Sequence, residues 1–218
     1  MNWFDYAWAM MGATCLVLAL IHAFIWLHRR NELAHAMLAI ASLAVAALSI
    51  MELQGLRTAS PERFATLVRW GHVPLAVVMC LLPWILHIRF RAGRRWIAWT
   101  SVTIRLMCLG LNFLTGVNLN FAEVTAMRSI DLLGLDHVYA PVGLPNYWMI
   151  LAQVSNLMLV VFVVDVGREV WRRGDPDERR RALWLCGGIA AFMMIAPSVA
   201  VLTTFGALKI PFLVTAAY

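Results

Sequence analysis

Hydrophobic residues in this chain come in blocks of about 20, separated by short polar links, and that spacing limits its fold more than any other feature. A helix rises ~1.5 Å per residue, so about 20 apolar residues cross ~30 Å of hydrocarbon. Seven blocks can be marked, at residues 4–28, 33–54, 66–88, 96–116, 147–167, 182–205 and 209–218. The chain of 218 residues is 62% hydrophobic and 14% charged, with a mean hydropathy of +0.75. A water-soluble domain needs far more polar surface than that. The expected fold is therefore all-α: a polytopic membrane bundle of seven transmembrane helices, forming one domain over residues 1–218, with the lipid bilayer as its first partner. The last block, "KIPFLVTAAY", has ten residues and no polar flank. It predicts a final helix that is truncated here and continues in a longer protein. The opening "MNWFDYAWAMM" lacks a basic n-region, so no cleavable signal peptide is expected.

Basic residues set the expected orientation. Arg29 and Arg30 follow span 1, and Arg89, Arg91, Arg94 and Arg95 follow span 3. Arg168, Arg172, Arg173, Arg179, Arg180 and Arg181 follow span 5. The alternate links hold only Arg57, Arg63, Arg128 and Lys209. This asymmetry predicts an N-terminus outside and a seventh span heading into the cytoplasm. It also accounts for the net charge of +6 and the pI near 9.7 without a nucleic-acid partner.

The basic links are short, and "RRGDPDERRR" reads as a solvated turn. On the other side, Ser60 followed by Pro61 and Glu62 is a helix-start signal. The segment 117–146 is too long for an ordinary loop, which points to a function or a cap over the bundle. Cys15, Cys80, Cys108 and Cys186 all fall inside apolar spans and read as small packing residues.

Ionisable and amide groups inside hydrocarbon are costly and face the bundle interior, so they are candidate sites by default. An outer set comprises Glu52 and Ser49 in span 2, Arg69 and His72 on one face of span 3, and Asn112 in span 4. Asn118 and Asn120 follow where span 4 emerges, and Asn146 opens span 5 with Gln153 and Asn156 deeper. Glu52 and Arg69 form the natural charge pair. Two readings stand for this set: a ligand-binding site for a small polar or lipid-like molecule, or an interfacial salt bridge with helix caps. Deeper in span 4, Arg105 shares a stripe with Ser101, Cys108 and Asn112 and needs a partner, for which Asp165 is the candidate. His22, His28, His35 and His87 lie toward the basic side. Pro74 falls in the first turns of span 3, whereas Pro83 and Pro197 fall mid-span and should kink their helices.

Several chemistries find no support. Lys209 sits at the outer end of its span, so a retinal Schiff base is not expected. Intramembrane protease, P-loop, dinucleotide and kinase signatures are missing from the sequence. No metal or cofactor is expected. A haem- or quinone-linked redox protein using His22, His72 or His87 is the alternative, with a small transporter as the third reading.

Four strings carry a resemblance: "LRTASPERFATLVRWGHVPLAVV", "AGRRWIAWTSVTIRLMCLGLNFLTGVNLNFAEVT", "GLPNYWMILAQVSNLMLVVFVVD" and "WRRGDPDERRRAL". Together they resemble the N-terminal seven-helix membrane module of bacterial PAS-linked sensor histidine kinases. Matching positions include Glu52, Arg69, His72, Pro74, Arg105, Asn112, Asn118, Asn120 and Asn146. The resemblance implies a multi-pass sensor domain of the bacterial inner membrane, reading a small-molecule or lipid-like signal, or the membrane's state, in its outer half. Helix 7 would pass the signal to cytoplasmic PAS and kinase domains of a homodimeric parent. The kinase region is not among these residues, so the chain by itself is expected to be no enzyme.

Overall fold

A computed structural model describes residues 3–132 and 135–205. Six helices carry the fold: α1 (Trp3–His28), α2 (Leu33–Arg57), α3 (Pro61–Phe90), α4 (Arg95–Leu114), α5 (Met149–Arg173) and α6 (Pro176–Thr204). All six are long and apolar enough to cross a membrane, which makes this a multi-pass membrane protein. The expected seventh span, 209–218, lies outside the described residues. The described chain is thus a six-helix bundle, and it is not all-α. Between α4 and α5, where only a long segment was expected, two antiparallel strands form a hairpin, β1 (Phe121–Leu132) and β2 (Leu135–Pro145).

Consecutive helices pack against one another, and α3 additionally reaches α5. The core lies between α3, α4, α5 and α6, where Met79, Leu86, Ile97, Leu159, Phe162 and Val166 are buried. α1 sits at the periphery and contacts chiefly α2. Its exposed Met10, Leu20 and Phe24 form a surface suited to acyl chains.

The helices run further than the apolar blocks, because polarity marks the edge of hydrocarbon and not the end of hydrogen bonding. α3 starts at Pro61, with Ser60 Oγ accepting from Arg63 N at 3.3 Å, as the sequence signal indicated. Pro74 therefore stands fourteen residues into α3 instead of in its first turns. α3 remains one continuous helix through Pro74 and Pro83, and α6 through Pro197. Likewise "RRGDPDERRR" is mostly helix. α5 runs to Arg173, and Asp175 caps α6 by accepting from Glu178 N at 2.7 Å, ahead of Pro176.

The α3–α4 turn is fastened to α5. Gly93 N donates to Glu169 Oε2 at 2.7 Å and Arg94 N to Asp165 Oδ2 at 2.9 Å, while Arg173 Nη2 donates back to Phe90 O at 2.9 Å. Gly93 has φ +89°, and a Cβ there would lie 2.6 Å from Val166 Cγ2. Only glycine lets this turn sit so close to α5.

The hairpin closes the opposite end. Trp8, Leu56 and Val138 are buried together, joining α1, α2 and β2. Phe64 and Phe121 join α3 to β1, with Val68, Val124 and Met127 packed around them. The inward residues of β1 thus recur every third position: 121, 124 and 127. A regular strand alternates every second residue, but register shifts between Phe121 and Glu123, and again between Val124 and Ala126, each insert an extra residue. These bulges let the strand present three side chains to the bundle at an unusual spacing.

A buried polar column between α3, α4 and α5

The asparagines at the hairpin end are fully engaged by the fold. Asn112, wholly buried, donates from Nδ2 to Arg69 O at 2.8 Å and accepts at Oδ1 from Leu119 N at 2.9 Å. Asn118 Oδ1 accepts from Asn120 N (3.0 Å) and Phe121 N (2.9 Å). Asn146 Nδ2 donates to Asn118 O at 2.9 Å, and its Oδ1 accepts from Trp148 N at 3.1 Å. Asn120 contributes backbone groups, its carbonyl accepting from Asn146 N at 2.9 Å. The three amide side chains therefore satisfy backbone groups where α4 ends, the hairpin starts and α5 begins.

Glu52 and Arg69 each have other partners than one another. Glu52 Oε2 accepts from Trp8 Nε1 at 3.1 Å, tying α2 to α1. Beside it, Arg57 Nε donates to Asp5 Oδ1 at 3.0 Å, an α1–α2 ion pair that sequence reading missed. Asp5 lies in the first turn of α1, and its acidic character beside an otherwise apolar span was the available signal. Arg69 Nη2 donates to Gly116 O at 2.7 Å, while its Nε is buried without a partner.

One turn deeper on α3, His72 is buried, with Nδ1 2.8 Å from Val68 O. A carbonyl only accepts, so Nδ1 carries the hydrogen and Nε2 is the acceptor of the neutral ring. Deeper still stands Arg105, eleventh of the twenty residues of α4 and about 15 Å from either helix end. It is 5% exposed. The expected link to Asp165 does not form. Arg105 Nη2 donates to Asn156 Oδ1, and Asn156 Nδ2 in turn donates to Gln153 Oε1 at 3.2 Å. Asp165 lies nine residues further along α5, about 13 Å, and is held by Arg94 at the basic end. The Nε of Arg105 is buried without a partner. Just below, Ser101 and Ser155 exchange hydroxyl-to-carbonyl bonds at 3.4 and 3.3 Å, which draws α4 and α5 together.

The column thus runs from Arg69 past His72 to Arg105 and Asn156, drawing on three helices. It holds two guanidinium groups, each with a buried, unpartnered Nε. Burying a guanidinium against neutral amides alone is expensive, because the amide dipole offsets only part of the lost hydration.

The other histidines stand apart from the column. His22 Nδ1 lies 2.9 Å from His35 Nδ1, one ring donating and the other accepting, and His35 Nε2 lies 3.1 Å from Glu32. His87 Nδ1 donates to Ala92 O at 2.8 Å, and its Nε2 accepts from Arg95 Nε at 3.3 Å. His22 and His87 thus each have local partners. Among the described residues, no group of three or more His, Cys, Asp and Glu side chains has the arrangement to hold a metal ion. Compared with protein-family models, curated proteins and solved structures, the chain matches none.

Proposed function

We propose that this chain is a membrane-embedded signal-input domain, of the kind found ahead of PAS and kinase regions in bacterial sensor histidine kinases. Its membrane would then be the bacterial inner membrane, and its parent a homodimer. The observation that carries this reading is the buried cationic column. Buried His72 and Arg105, with half-buried Arg69, join α3, α4 and α5 at positions where a bilayer protein with no use for charge would place leucine. A signal that binds one arrangement of these helices more tightly than another shifts the population between them. The shift would leave the bundle through α6 and the segment beyond it, which the sequence reading makes a seventh span. The resemblance of the four strings supports the same assignment, and nothing in the column favours the redox or transport reading over it.

The test is the stimulus-dependent autophosphorylation of the full-length protein in native membranes. Arg69→Ala and His72→Ala should each lower the stimulated response at least fivefold while membrane-inserted protein persists. An undiminished response in both variants would sink the assignment. So would variants that simply fail to insert, since the column would then be scaffold.

A further inference from the structure

The carboxylates nearest the core of α3, α4 and α5 are held elsewhere, and Glu62 is exposed in the first turn of α3. Asp165 holds Arg94, Glu169 holds Gly93 N and Arg173, and Glu52 accepts from Trp8 on the α1–α2 side. The side chain that holds Arg105 is Asn156 of α5, which is held in turn by Gln153 one turn away. Both are amides and carry no charge. Among the described residues, a cation therefore sits at the middle of the bundle with one donor unused and no carboxylate bonded to it. Ser101 and Cys108 stand one turn to either side of it on α4, both short and buried. We propose that Arg105 is the receptor for an anionic headgroup, a carboxylate or a phosphate, which supplies the missing counter-charge between α3, α4 and α5. Guanidinium suits this role because it keeps its charge in a low dielectric and offers several donors in one plane. Arg69, nearer the hairpin, also has a buried Nε without a partner. The inference rests on the sensor reading of the same column and names the chemical class of its signal.

The source of the anion is separable by experiment. The purified chain is placed in phosphatidylcholine nanodiscs and titrated with oleate, with phosphatidylglycerol or with inorganic phosphate, and bound copies are counted by native mass spectrometry. One of the three probes should saturate at a single site, which identifies the source as fatty acid, phospholipid or free phosphate. Asn156→Asp is the decisive variant. It is nearly isosteric and places a carboxylate on Arg105 from within, so it should weaken that probe at least tenfold while raising the melting temperature. Arg105→Gln should weaken it equally, and the cytoplasmic-link variant Arg180→Gln should leave it unchanged. If Arg105→Gln does not fold, Asn156→Asp still decides. Failure of all three probes to saturate overturns the inference, as does unchanged binding in Asn156→Asp. If the probes fail yet Arg69→Ala and His72→Ala still lose the kinase response, the sensor assignment stands and only its ligand class falls.

Discussion

At the scale of single residues, polar groups in this protein divide by what each still has to offer. Asn112 is committed at both ends of its amide, to Arg69 O on α3 and to Leu119 N beside the hairpin. Replacing it with alanine leaves the buried Leu119 N unsatisfied, at roughly 1–3 kcal/mol, and removes a second bond to the helix carbonyl of Arg69. Asn112→Ala should therefore destabilise the solubilised protein by about 2–4 kcal/mol, read as a drop in melting temperature. Asn120→Ala removes a side chain while keeping the backbone bonds that matter, and should cost about 0.5 kcal/mol or less. Equal losses in the two variants would refute the division. The need for a partner at Arg105 was legible in the sequence, since its depth follows from helix length alone. The partner's identity was not. Asp165 is drawn to the α3–α4 turn by the backbone amide of Arg94, a contact that exists only once the turn has folded onto α5.

Elements show the same contrast between local and folded information. The cap at Ser60 was readable because a cap, a proline at the first helical position and an acidic first turn are all local. The hairpin was not, because its bulges replace the two-residue alternation by which strands announce themselves. The α3–α4 turn gives a further test at this scale. Arg91 caps α3 with φ +47°, a left-handed conformation that disfavours a branched Cβ, and its side chain is exposed. Arg91→Gly should stabilise the protein by about 0.5–1 kcal/mol. Gly93→Ala, two residues later, should cost about 2 kcal/mol or more, because strain at its φ adds to collision with Val166 and Phe162. Opposite signs within three residues, measured by thermal unfolding in one detergent, check the geometry of the turn. If Gly93→Ala is tolerated, the close approach of this turn to α5 is wrong.

The whole molecule has two unlike ends, and their chemistry predicts which faces the cytoplasm. One end gathers the start of α1, the α2–α3 link and the hairpin, sealed by Trp8, Leu56, Phe64, Phe121 and Val138. The other gathers the α1–α2 and α3–α4 links, with Arg29, Arg30, Arg91 and Arg94, and the start of α6, with Arg179 and Arg180. Positively charged short links are retained on the cytoplasmic side during insertion. Packing strengthens the argument, since the hairpin's contacts with α2 and α3 allow it to lie only at the arginine-poor end. A cysteine introduced at the exposed Thr125 should therefore react with a membrane-impermeant maleimide added to intact spheroplasts. One at the exposed Arg180 should react only after the membrane is opened. Cys15, Cys80, Cys108 and Cys186, all within helices, give a low background that the unmodified chain calibrates. The reverse labelling pattern would place the hairpin inside the cell. It would then bring the Arg69 end of the column to the cytoplasm, and any ligand of Arg105 would have to come from that side.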